Sequence, residues 1–423
     1  MDEKYIKLNR ILDDALDEFT QETDEVFKTS NDRKGYMFKS ASEYEKSFQK
    51  PQKCLFPECG SKSIVFSHTI QKNGGIHIIA ENNHVYRPIF NEKTGKMSIE
   101  SIGINKASTF PGFCKLHEGV FSVFENKKEI ANDNEIKLQV FRTFCREFQT
   151  KKIELQYREK RKGEYLNLQK QRFTDVLYKH LDAEGFDKKE LKDIKLDRTD
   201  YRLAYMKKEI KELQELIQVL KVKYYFPFSK DITKGSENIY YQAIKLAHLI
   251  PVGLSGAGYI TYEKNNRLNK VQLLMNVIPQ EDSTLIILAT NKANKKILDR
   301  YISFYTQSFL MILVLIESWM IHVTDHWFIK PSVWDTLPEK RREKILSDIL
   351  DIKFGVLDKY KLSIFDEVRR LMFNVIDNEN NWANFNDITI SFLKEERNKL
   401  IEEETYDIFP TEDILKIKGY LKE

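Results

Sequence analysis

The sequence predicts an α+β fold assembled from several parts, and three observations predict it. Apolar residues recur at spacings of three and four over residues 1–28 and 135–221, the signature of amphipathic helices. The period changes after Tyr224, and residues 240–290 read as strands. Between the two helical stretches, three of the four cysteines join a histidine in two close pairs: Cys54 with Cys59, and Cys114 with His117. At 423 residues the chain has room for two or three domains.

Residues 1–50 read as an N-terminal helix and linker. Tyr5, Leu8, Leu12, Leu16 and Phe19 mark the helical face, and the acidic start is unlike a signal peptide. A polar stretch containing Asn31, Asp32 and Gly35 reads as the linker. Residues 51–127 form the cysteine module. Its interior holds strand-like runs at 76–79, 85–86 and 102–104, with turns expected at Gly74–Gly75 and Thr94–Gly95. Residues 128–222 read as helical, with Leu138, Phe141, Cys145 and Phe148 on one face. Met206, Ile210, Leu213, Ile217 and Leu220 form a short heptad seam, which suits a helical hairpin as well as a dimer.

Residues 223–423 read as an α+β regulatory or partner domain. Strands are expected at 244–252, 259–262, 271–278 and 284–290, the last two joined by a hairpin at 279–283. Helices are expected after Lys292, through the apolar run 309–316, then 338–352 and 358–376, punctuated by Pro331 and Pro338.

Composition narrows the class. Hydrophobic content of 41% supports packed cores, and 68 basic against 64 acidic residues leave a net charge of only +4, which excludes a polybasic coat. Basic clusters at Lys151–Lys152, 158–162, Lys207–Lys208 and 340–344 are mixed with acids and read mainly as solvated faces. The apolar run 309–316 ends at Glu317, short of the roughly 20 residues a bilayer span needs. Sparse cysteine, with Cys145 as a buried thiol, fits a reducing, cytoplasmic setting and no membrane partner.

The quartet carries the chemistry. Two thiolates separated by a short loop can bite one ion, and Pro57 lies in the turn of Cys54–Cys59. Cys114 and His117 fall on the first turn of a helix whose apolar face is Val120, Phe121 and Phe124. A knuckle, a hairpin and a helix-borne pair follow the order of a treble-clef zinc module, with structural Zn2+ on Cys54, Cys59, Cys114 and His117. Ser67 and His68 end the apolar run 63–66, and Glu118 follows the last ligand.

Residues 51–127 resemble the HNH endonuclease superfamily. The resemblance implies that His68 is the general base acting on water. It places Thr109 at the family's middle Asn position and Glu118 at the final, metal-binding position. Three departures stand out: Ser67 replaces a common Asp or His, Thr109 replaces Asn, and Glu118 supplies a hard carboxylate suited to Mg2+ or Mn2+. The implied function is a metal-dependent endonuclease acting on DNA rather than RNA, in restriction or anti-phage defence, and a homodimer is compatible with it. The competing expectation is a non-catalytic finger that binds nucleic acid or a protein partner, with the C-terminal domain as sensor. Residues 107–114 and 276–279 are also loosely similar to uncharacterised bacterial HNH-like proteins.

Other signals weigh less. Gly253, Gly256 and Gly258 read as a turn or bulge between strands. His322 and His326 fall one helical turn apart beside Asp325, where a packed helix is favoured over a metal pair. His77 and His84 read as surface residues.

Overall fold

The structure is a computed structural model and describes residues 3–21, 39, 42–91, 94–186, 201–264, 267–349, 356–379, 382 and 385–400. In chain order, α1 (Glu3–Gln21) precedes β1 (Ser67–His68), β2 (His84–Asn91), β3 (Lys96–Gly103) and β4 (Thr109–Phe110). Then come α2 (Lys115–Glu118), α3 (Asp133–Ala183), α4 (Tyr201–Leu220) and α5 (Phe226–Lys234). Four strands follow: β5 (Ile239–Leu246), β6 (Val252–Lys264), β7 (Arg267–Gln280) and β8 (Ser283–Asn291). The remainder is α6 (Lys295–Tyr305), α7 (Phe309–His322), β9 (Trp327–Ile329), α8 (Glu339–Asp348), α9 (Asp366–Asn378) and α10 (Asp387–Asn398). The mixture is α+β, as expected.

The chain divides into two compact units: Met1–Ser47 with Thr150–Val219, and Phe48–Gln149 with Leu220–Glu423. In the first unit, Ile11, Ala15 and Phe19 of α1 pack on Phe173, Val176, Leu177 and Leu181 of α3. The Phe19 and Phe173 rings meet edge-on at 5.5 Å. On α4, Leu203, Ile210 and Leu213 are buried, while Arg158 of α3 pairs with Glu209 at 2.7 Å. The heptad seam therefore serves a helical hairpin within the chain. Residues 42–47, inside the segment read as linker, are helical. Residues 22–38, 40 and 41, which include much of that expected linker, lie outside the described residues.

The second unit is organised by a seven-stranded sheet of order β3-β2-β9-β6-β7-β8-β5, and every pairing in it is antiparallel. The hairpin β2–β3 lies between the two ligand pairs in sequence. It nonetheless extends the C-terminal sheet, because β9 bridges them: Tyr86 pairs with Ile329, and Ile329 with Val252. A strand of three residues, too short to leave a periodic signal, thus makes one sheet of two segments read apart.

Alternation sorts the two faces of this sheet. Leu254, Ile260, Val271, Leu273, Met275, Val277, Ile286 and Leu288 point to a core shared with α6 and α7. Every residue of α7 from Leu310 to Ile321 is buried, Glu317 included. Among the described residues, no single helix is long and apolar enough to cross a membrane. The opposite face carries Ser255 and Asn276, paired across strands, and it meets Gln139 and Thr143 of α3.

Four expectations change. The helix expected at 358–376 begins only at Asp366, because the Ile364 and Phe365 amides donate to Glu317 instead of to a preceding turn. Residues 76–79 are helical or turn rather than strand, because the Gln71 carbonyl accepts from both Gly75 and Ile76 in a wide turn. Ile76 and Ile79, three apart, then reach one cluster with Ile70, Val85 and Phe328. The strand expected at 244–252 stops at Leu246, since the His248 carbonyl and Ile250 amide both turn to the Thr284 hydroxyl. The glycines at 253, 256 and 258 lie inside β6. A Cβ at Gly256 would sit 2.6 Å from Thr324, and one at Gly258 would sit 2.5 Å from Val356. Close packing, and not a turn, requires glycine there.

Candidate functional site

The four ligand candidates converge. Their donor atoms lie within 4.8 Å of one another, and the group can hold a metal ion. Cys54 Sγ is 3.7 Å from His117 Nδ1, Cys114 Sγ is 3.3 Å from the same nitrogen, and Cys59 and Cys114 sulfurs are 4.0 Å apart. Local backbone explains the convergence. Glu58 adopts a left-handed φ of 61°, which turns the loop so that Cys59 faces Cys54. The bridge Lys53–Lys62 closes that loop. Cys114 precedes α2 and donates its amide to Cys54 Sγ at 3.3 Å, as does the Phe56 amide at 3.5 Å. Phe56 also stacks on His117, with rings 4.1 Å apart and 6° from parallel. Tyr225 ties the loop down by donating to the Leu55 carbonyl at 2.9 Å.

Beside this cluster, β1 pairs with β4 and places His68 directly opposite Thr109. Ser67 is fully buried, and its hydroxyl accepts from the Phe113 amide at 3.2 Å. The position that differs from the resembled family is therefore used to dock the strand. Thr109 donates to the Lys106 carbonyl at 2.9 Å, so its hydroxyl caps the preceding turn. Ser108 has a left-handed φ of 57° and exchanges hydrogen bonds with the Ile70 backbone through its hydroxyl. Thr69, next to His68, donates to the Ser108 carbonyl and contacts His326 Nε2 at 2.9 Å.

His68 is half-buried, and its Nε2 is shut from solvent with no hydrogen-bond partner. Burial pushes its pKa down to about 4, helped by the positive charge of Arg142. Glu118 has one carboxylate oxygen, Oε2, in the same condition of burial without a partner. Its other oxygen, Oε1, accepts from Arg142, a side chain of α3 that is 1% exposed and that also holds Glu125 at 2.7 Å. The Arg142 guanidinium thus adjoins Glu118 and acts electrically on His68.

Sequence reasoning missed Arg142, Glu125, Gln139 and Thr69. A signal for Arg142 existed, because it falls four residues after Leu138 and three before Cys145, a cation within an apolar helical face. Gln139 donates to the Thr69 carbonyl at 2.8 Å and to Asn276 Oδ1 at 3.0 Å, a link no spacing announces. His322 and His326 do not form a pair. The helix ends at His322, whose ring packs against Tyr360, whereas His326 turns to Thr69. His84 is exposed and bonds locally to the Asn82 carbonyl, and His77 is exposed too. Cys145 is a buried thiol outside any disulfide.

No family model, no curated protein and no solved structure matches this chain.

Proposed function

We propose that the chain is a metal-dependent phosphodiester hydrolase of HNH-like type, with a treble-clef finger that carries structural Zn2+ and presents a base and a carboxylate. Tetrahedral zinc with sulfur at about 2.3 Å sets ligand atoms about 3.8 Å apart, close to the spacings of the quartet. The soft donor set and the backbone amides on Cys54 Sγ suit a bound thiolate.

The observation that carries the catalytic reading is the pair of buried, unpartnered atoms His68 Nε2 and Glu118 Oε2 on the ββα frame of β1, β4 and α2. Leaving each such atom unmatched costs about 1–3 kcal/mol, which favours a site that supplies partners. His68 is neutral near pH 7 and therefore in its proton-accepting form. An arriving phosphate, being anionic, raises its basicity toward the working range. Glu118 would hold Mg2+ or Mn2+, and such an ion supplies charge stabilisation at the scissile phosphate. DNA is the proposed substrate, acted on in the cytoplasm as part of restriction or anti-phage defence, by a homodimer when both strands are cut.

Incubating the full chain with plasmid and Mg2+ or Mn2+ tests this beside His68→Ala. The parent should cut at least 100-fold faster than the variant; equal traces from both sink the proposal.

One observation favours a second reading, a non-catalytic finger that binds nucleic acid or a protein partner. The Arg142 charge already answers Glu118. Under that reading neither protein cuts, and a mobility-shift assay shows DNA retention that weakens as salt rises.

A further inference from the structure

Arg142 comes from outside the finger. It projects from α3, and its guanidinium lies 4.7 Å from the centre of the Phe121 ring, just beyond α2. Two of its nitrogens grip two carboxylates, Glu118 and Glu125, whose side chains remain 21% and 19% exposed. The grip on Glu118 uses one oxygen only, and the Arg142 Nε is itself buried without a partner. A guanidinium is planar, and its donors hold a carboxylate in a defined orientation, which a lysine cannot reproduce.

We infer that Arg142 is a positioning residue of the proposed site: it fixes Glu118 by one oxygen, presents the other to the catalytic ion or water, and orders the charge around His68. This rests on the hydrolase reading above. Glu125, in this arrangement, is an anchor for Arg142 and has no contact with the chemistry. The charged groups acting on His68 are Arg142 and Lys72, both of which favour its neutral form, opposed by the Ile104 and Phe66 backbone. Removing Arg142 therefore raises the pH at which His68 takes up a proton; lost burial moves it the same way, and Arg142→Lys, which keeps the charge, separates the two.

The test uses the full chain as Arg142→Lys, Arg142→Gln, Glu125→Gln, and the double variant Arg142→Gln with Glu125→Gln. The double variant avoids leaving two unpaired carboxylates and guards against a simple failure to fold. Zinc per chain, plasmid cleavage across pH, and the His68 titration by histidine-selective NMR (assigned with His68→Ala) are measured for each. The double variant should retain parental zinc, lose at least 30-fold in cleavage, and show the His68 midpoint and the acidic limb of cleavage moved to higher pH. Arg142→Lys should recover the midpoint but not the rate, and Glu125→Gln should stay within three-fold of the parent. Cleavage within three-fold in the double variant, with an unmoved midpoint, overturns the inference. So does an equal loss from Glu125→Gln alone. Should the parent and His68→Ala cut alike, the hydrolase reading fails by itself. The NMR midpoint then decides for Arg142: an upward move supports its hold on His68, and no move overturns it.

Discussion

Two buried arginines, each between two glutamates, show how differently the same ion cluster can be finished. Arg369 on α9 donates through Nε and both terminal nitrogens to Glu317, Glu396 and the Ser363 hydroxyl. Glu317 also accepts from the Ile364 and Phe365 amides, and Glu396 pairs with Lys399 at 2.7 Å. None of the buried side-chain atoms lacking a partner belongs to this group. Arg142, by contrast, leaves its own Nε and one Glu118 oxygen unmatched. A saturated cluster holds α7, α9 and α10 together and has nothing left to offer a ligand. An unsaturated one keeps donors and acceptors in reserve, which is what a site requires.

The contrast can be broken by mutation. Glu317→Ala leaves the buried Arg369 and Lys399 with only Glu396 between them and should cost about 3–5 kcal/mol, read as a lower denaturant midpoint. Zinc content of the folded fraction should stay at the parental level. If Glu317→Ala shifts the midpoint by under 1 kcal/mol, burial and saturation are not what distinguish the two clusters. The Arg142→Gln, Glu125→Gln variant should lose less, about 1–3 kcal/mol, because the Glu118 and Glu125 side chains are partly exposed whereas Glu317 is not. A larger loss than that of Glu317→Ala would reverse the ranking.

The smallest effect concerns acid. His326 is held well below its ordinary pKa, first by desolvation and then by the charges of Arg146 and Arg87. The folded chain consequently binds fewer protons there than the unfolded chain. Stability is fully present above the unfolded value of about 6.5 and drains as pH falls below it. Going from pH 6.5 to 5.5 should cost about 1 kcal/mol through this residue. His326→Gln should flatten that slope, and a parental slope in the variant would exclude His326 as its source.

Periodicity and spacing made much of this protein legible in advance. The quartet was readable because ligands in close pairs must bite one ion, whatever surrounds them. The 3.6 period exposed α1, α3 and α4, each of which buries a repeating face, whereas the β7–β8 hairpin and α7 showed as apolar runs buried on every side. The resemblance singled out His68 and Thr109 separately, and only the pairing of β1 with β4 sets them opposite each other.

What the chain order could not announce are relations between distant residues. β9 joins the inserted hairpin to the C-terminal sheet through three residues. Arg142 and Gln139 reach Glu118 and Thr69 across gaps of 24 and 70 positions. Gly256 and Gly258 of β6 are small because Thr324 and Val356 press on them. Local pattern by itself determined the elements and the metal-holding quartet, because those depend on neighbours along the chain. Only the tertiary structure decided which buried charges are satisfied and which remain available, because that is set by what packs against them.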